Sequence, residues 1–281
     1  MEDLCDKKDL PARLYKYTSV ESAIKILTSE TILFNSPENF NDPYDANPPF
    51  EFTKLNKEEL IKYSKSTSDN IDSIDDKVCN YANKEIQKNF QKLFSKLRHT
   101  ARILCLSATN ESILMWAHYA TSHTGVVIEF DTNQFVIRLS KDINYDNNIV
   151  EINMETLFKK NDESIEEFHK IYRAKSEDWD YEKEYRAFIN IDDKIVDDVK
   201  GKTDLGENWK NCYNALKNKE KCIYFPIAKE AIKAIYLGCN IKETDKMSIL
   251  NIIKGLYPHV KCYKAIKSET SFKLTFEEVN V

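Results

Sequence analysis

The chain has 281 residues, 42% of them hydrophobic, and a formal net charge of −5; it can bury a full core, but no charge excess draws it to nucleic acid or an anionic membrane over long range. No apolar run reaches the roughly 20 residues that span a bilayer, and the leader MEDLCDKKDLPARLYKY has no signal-like apolar core, so we expect a cytoplasmic protein with no membrane partner. With five glycines and no Walker loop, dinucleotide fingerprint or nucleophile elbow, a glycine-rich phosphate cradle is excluded.

After the leader, residues 14–18 read as a strand, with Leu14, Lys16 and Thr18 on one face and Tyr15 and Tyr17 on the other. A helix should follow, capped by Ser19 or Ser22, and residues 32–35 return as a strand. The segment PENFNDPYDANPP is too rich in proline to be regular and reads as a loop, with Phe40 and Tyr44 available to anchor it. From residue 53 to 99 the apolar residues recur at helical spacing without a strand signal. We expect two helices there, at about 56–66 and 75–98, joined by SKSTSDNIDSIDD. They form a helical insertion within a single domain spanning residues 1–281.

The stretch CLSATNESILMWAHYATSHTGVVIEFD (residues 105–131) gathers rare residue types between two apolar strands: Met115, Trp116, His118, Tyr119, His123 and Gly125. Residues 144–152 read as a strand and 154–172 as one amphipathic helix. In DWDYEKEYRAF, alternation puts Tyr185, Ala187 and Ile189 on a buried face and Glu182, Glu184 and Arg186 on a polar one. A loop with Gly201 and Gly206 should follow, then strands at 222–226 and 234–237, a helix at about 243–256, and strands at 260–265 and 272–276. Strands in both halves with short helices between them make the class α+β.

The seven cysteines are an odd number with no pair at the two-residue gap of a zinc knuckle, which reads as reduced thiols. His118 and His123 are five apart, beyond the spacing that shares a helix face; a metal-dependent hydrolase on His118, His123 and Asp131 is the weakest reading, and no metal is expected. Met115, Trp116 and Tyr119 at helical spacing read as core rather than as a cofactor box. Glu182 and Glu184, on one strand face two residues apart, would repel unless Arg186 compensates. A pair of this kind can stabilise an oxocarbenium-like cation, and Trp179 and Tyr181 beside it suit a nucleoside or nicotinamide pocket.

The phrases LYKYTS, ILFNSPENFNDPYD, CLSATNESILMWAHYATSHTGVVIEFD and DWDYEKEYRAF, in this order, resemble the bacterial family called domain of unknown function 2971. More distantly, the order of elements resembles the ADP-ribosyltransferase fold. That resemblance implies a split β-sandwich or twisted mixed sheets and NAD as a substrate. It sets Lys16 where one branch has a His and Thr18 where it has a Thr, with Glu184 or Glu182 at the catalytic Glu. The Lys departs from that branch, since a charged ammonium donates hydrogen bonds but accepts none. The other branch carries Glu-x-Glu but has Arg on its first strand, so neither pattern is matched throughout.

Two functional expectations follow. In the first, the protein is an NAD-dependent ADP-ribosyltransferase acting on a nucleic acid or protein, as a toxin or phage-defence effector. Glu184 and Glu182 would be catalytic, with Lys16, Thr18, Tyr44, Trp116, His118, Tyr119 and Arg186 holding the nucleotide. In the second, it is a non-catalytic nucleotide- or partner-binding module on a degenerate version of the same fold.

Overall fold

The computed structural model describes residues 10–65, 73–159 and 161–281; Cys5 and most of the expected link between the two helices of the insertion lie outside them. In chain order the elements begin with β1 (Arg13–Thr18), α1 (Val20–Ser29), β2 (Thr31–Asn35), β3 (Phe50–Phe52), α2 (Lys57–Lys65) and α3 (Asp76–Thr100). Next come β4 (Ala101–Ser107), α4 (Ile113–Tyr119), β5 (Val126–Asp131), α5 (Phe135–Arg138), β6 (Ser140–Asp142), β7 (Asn144–Tyr145) and β8 (Val150–Ile152). The chain continues through α6 (Met154–Phe158), α7 (Asp162–Arg173), β9 (Ala174–Lys175), β10 (Glu184–Asn190), α8 (Asp193–Lys200) and α9 (Glu207–Lys217). It closes with β11 (Cys222–Pro226), β12 (Ile232–Leu237), α10 (Glu243–Leu256), β13 (Lys261–Lys267) and β14 (Leu274–Glu278). Two compact units emerge: Met1–Ser36, Ala101–Ile143 and Asp178–Val281 form one, Pro37–Thr100 and Asn144–Glu177 the other.

The first unit is built on a sheet of order β11-β2-β4-β1-β5-β12-β13-β14, with β10 on β4 and β6 on β10. Its neighbours are antiparallel except β12 and β13, which run parallel and are joined through α10, the long crossover that a parallel pair needs. This mixed sheet with helices makes the class α+β. The sheet branches at β4: one edge takes β10 along its whole length, while the other meets β2 at Ile103↔Asn35 and β1 at Tyr15↔Ser107.

Both faces of the sheet are covered, and period-2 alternation sorts the side chains between them. On β5, Val126, Ile128 and Phe130 enter a core with Leu14, Leu27 and Phe34, while Val127 packs with Tyr17, Trp116 and Tyr236 on the other face. Each buried side chain of this size contributes roughly 1.5–3 kcal/mol of transfer free energy. Helix α1 starts at Ser19, whose side chain accepts from the Ser22 amide, and stops at Glu30, held left-handed at φ 54°.

Several expectations need correcting. The expected polar face of the late strand is buried: Glu184 is 4% exposed and Arg186 0%. Glu182 is not on that strand at all. It ends a 3-10 turn (Glu177–Glu182), and Lys183 at φ 45° separates it from β10, so the alternation that would align two carboxylates never applies. The expected loop around Gly201 and Gly206 is two helices, with Gly201 at the end of α8 and Gly206, at φ 137°, opening α9. The expected strand over 144–152 is two short ones, β7 and β8. The expected helix over 154–172 breaks into α6 and α7, because Asn161 caps a new start by accepting from the Ser164 amide.

In the second unit, α2, α3, α6 and α7 surround two short parallel pairs, β3 with β8 and β7 with β9. Its core holds Phe52, Leu55, Leu60, Phe94, Ile152, Met154, Leu157 and Ile171. Aromatic rings knit it together, with Phe94 5.3 Å from Phe50 and 4.9 Å from Phe168 between centroids. Asn83 is its buried polar fastener: the side-chain oxygen accepts from Leu55 N at 2.8 Å and the amide nitrogen donates to Leu55 O at 2.9 Å. Lys175 and Asp45 form a buried ion pair at 3.4 Å. Among the described residues no helix is long and apolar enough to cross a membrane.

Candidate functional site

The richest polar chemistry of the first unit lies where β4 ends. Ser107 stops the apolar run, and its Oγ donates to Glu182 O at 2.6 Å and accepts from Thr109 N at 3.1 Å. Tyr17 Oη donates to Thr109 O at 2.9 Å, and Trp116 Nε1 to Asn110 O at 2.7 Å. The two rings meet edge to face at 5.5 Å. Trp116 is fully buried, so its ring is core and its one polar atom is spent on the loop. Burial pushes the Tyr17 hydroxyl far above the ordinary tyrosine range.

Past α4 the backbone turns through three successive left-handed residues, Thr121, Ser122 and His123, at φ 49°, 53° and 66°. Each costs roughly 1–2 kcal/mol for an ordinary side chain. The turn is held by His123 N donating to Trp116 O, Gly125 N to Ala120 O and Asn240 N to His123 O. A Cβ at Gly125 would lie 2.3 Å from Thr18 O, and one at Gly238 would lie 2.1 Å from His123 O, so both positions need glycine for close backbone approach. The His123 ring stacks on Trp116 with centroids 6.5 Å apart, and its Nδ1 is buried without a hydrogen-bond partner. Burial lowers its pKa from the ordinary value.

The structure sets Tyr119 against Glu182: the Tyr119 hydroxyl donates to Glu182 Oε1 at 2.6 Å, a charge-assisted bond to a carboxylate that is 3% exposed. Glu184 faces Arg186 instead, with Nε donating to Oε1 at 2.7 Å and Nη2 to Oε2 at 2.8 Å. Lys16 Nζ donates to Cys105 O at 3.0 Å, which ties β1 to β4. Thr18 is 9% exposed at the end of β1, opposite Val126. His118 is exposed, with its ring 6.3 Å from that of Tyr181. Tyr44 belongs to the second unit and is 64% exposed. Among the described residues no three His, Cys, Asp or Glu gather closely enough to hold a metal ion; His118, His123 and Asp131 form no such group.

Sequence reasoning missed a cavity of about 410 Å³ beside this network, lined by Thr109, Ser112, Tyr181, Lys183, Phe272 and Lys273. Glu111 is its acidic member. Phe272 is 98% exposed. Lys183 Nζ donates to Asp180 at 2.7 Å on the surface. Tyr181 and Lys183 line the cavity while Glu182, between them, is buried against Tyr119. The one signal in the sequence was the pair of aromatics, Trp179 and Tyr181, beside Glu182; the Phe272–Lys273 wall comes from a distant hairpin.

Residues 115–187, about a quarter of the chain, match the family described as Protein of unknown function (DUF2971). The matched stretch runs from α4 into β10 and contains Tyr119, Glu182, Glu184 and Arg186. No curated protein and no solved structure matches the chain.

Proposed function

We propose that the chain is a nucleotide-binding module and that binding, rather than transfer of ADP-ribose, is its task. The observation that carries this is the cavity beside Tyr181, where two aromatic rings, Tyr181 and Phe272, and two ammonium groups, Lys183 and Lys273, border one space. Aromatic faces accept a base by stacking, and ammonium groups neutralise phosphates as point charges. A volume of about 410 Å³ falls in the range of small-molecule sites, roughly 300–1,000 Å³.

The state of the acidic residues favours binding over transfer. Stabilising an oxocarbenium needs a carboxylate whose charge faces the substrate. Glu184 has both oxygens held by Arg186 and is 4% exposed, and Glu182 is 3% exposed. Lys16 gives a hydrogen bond to Cys105 O, an interaction within the sheet rather than one facing a ribose. A cytoplasmic setting belongs to the proposal, supported by six cysteines outside any disulfide among the described residues.

A second reading keeps one observation in its favour. Glu182 is flanked in sequence by the cavity residues Tyr181 and Lys183, so a small movement of the turn would present a carboxylate to bound NAD. In that reading the branched sheet is a variant of the ADP-ribosyltransferase split sandwich, and the acceptor is a nucleic acid or protein. Calorimetric titration of the full chain with ADP and NAD, beside an assay for released nicotinamide, separates the two. We expect binding weakened roughly tenfold or more by the double change Lys183→Ala/Lys273→Ala, and no release of nicotinamide. Release that disappears in Glu182→Gln would overturn the binding module in favour of the transferase, and absence of binding by either nucleotide would overturn both.

A further inference from the structure

The second unit contains a larger cavity, about 510 Å³, along the C-terminal half of α3. Its wall is apolar where Phe50, Phe94 and Ile171 meet, and it is cationic where Lys92, Lys96 and Arg98 project. Lys92 and Lys96 are exposed and four residues apart, hence on one face of the helix. Among the described residues no carboxylate pairs with Lys92, Lys96 or Arg98. Among the described residues Glu38 is the one acidic group lining the cavity, and its Oε1 already meets His99 Nδ1 at 3.0 Å.

Arg98 is the most telling member. Its Nε is buried without a hydrogen-bond partner, so the protein leaves part of the guanidinium's donor set unmet. It stands near the buried Tyr172, which also lines the cavity. Basic residues in the last turn of a helix complement its dipole, but that effect fades within the turn. Lys92 lies earlier on α3 and faces the same space. A cationic rim over an aromatic floor is an arrangement that a neutral or cationic ligand would leave uncompensated.

We propose that this cavity binds a small organic anion, with its apolar or aromatic body on Phe50 and Phe94 and its phosphate or carboxylate head among Lys92, Lys96 and Arg98. The guanidinium edge suits either head group because both offer two oxygens to a planar fork. All of its lining residues belong to the second unit.

The test uses the full chain and two fluorescent probes of similar aromatic body. One is the anion 8-anilinonaphthalene-1-sulfonate and the other is uncharged N-phenyl-1-naphthylamine. The expected result is that Lys92→Glu/Lys96→Glu weakens the sulfonate roughly tenfold or more at low salt while leaving the neutral probe unchanged. Arg98→Gln should act in the same direction. The exposed lysine pair decides the matter if Arg98→Gln fails to fold. Competition then sorts the head group: displacement by AMP marks a phosphate site, and displacement by laurate marks a carboxylate site. Equal effects on both probes, no effect of the charge reversals, or displacement by neither competitor would overturn the proposal.

Discussion

Arg186 and Glu184, two residues apart on β10, form a two-pronged ion pair at 2.7 and 2.8 Å inside the protein, at 0% and 4% exposure. A carboxylate and a guanidinium in this position are neither a solvated surface pair nor an open catalytic group. Each charge offsets part of the other's desolvation cost, which makes the pair sensitive to the loss of one member.

Glu184→Gln is therefore expected to destabilise the protein by about 3–5 kcal/mol, because the buried, charged Arg186 loses its two-pronged carboxylate partner. An exposed pair would cost about 1 kcal/mol or less. Urea denaturation of the wild type and of Glu184→Gln checks this. The double change Glu184→Leu/Arg186→Met should recover much of the loss, and a double variant as unstable as the single one would refute the ion-pair account.

Two glycines should respond in opposite directions to alanine. At Gly238 a Cβ would lie 2.1 Å from His123 O, and backbone cannot yield there, so Gly238→Ala should fall at the upper end of the roughly 1–3 kcal/mol cost of overpacking. At Gly255, near the end of α10, a Cβ meets nothing within 4 Å, and alanine should stabilise by about 0.5–1 kcal/mol. Thermal melts of the two variants give the comparison.

His123 links stability to pH. Burial lowers its folded pKa below the ordinary 6.5, so the unfolded chain binds its proton first as the pH falls. The contribution of His123 is fully present above 6.5 and is lost as the pH drops toward the folded value. His123→Asn keeps a residue that tolerates left-handed backbone, and its stability should change less than that of the wild type between neutral and mildly acidic pH. Parallel slopes for the two proteins in denaturation series would argue against this origin.

In the second unit, Asn83→Ala removes the side chain that joins Leu55 N and Leu55 O. Leaving buried backbone groups unpaired costs about 1–3 kcal/mol. Hydrogen exchange should show the loss as faster exchange around Leu55, while amides of the first unit's sheet keep their protection.

What could be read in advance was set by local periodicity. The alternation of β1, the apolar strand β5, the apolar face of β10 through Ala187 and Ile189, and the helices α1, α2 and α3 follow from the sequence pattern alone. The region of α8 and α9 is hard to read because Gly201 and Gly206 look like loop residues, whereas they punctuate two short helices. Burial of Glu184 and Arg186 was illegible for a different reason. A charged face looks solvated in sequence, and the place of β10 inside the sheet, between β4 and β6, is set only by tertiary pairing. The cavity beside Tyr181 was out of reach because Thr109, Lys183 and Lys273 meet only through tertiary structure.

The branched sheet also dictates an order of assembly during synthesis. β1 emerges early, but β5 must wait for β12 on its free edge, and β4 must wait for β10. The second unit needs no residue beyond Glu177, so its helices and rings can consolidate while half of the first sheet is still unmade. Until β10 and β12 leave the ribosome, β4 and β5 carry unpaired edges, the kind of surface that invites wrong strand partners. The late pairings span long loops and are slow to close. A nascent chain arrested before β12 should therefore hold a protease-resistant second unit and an unprotected first one.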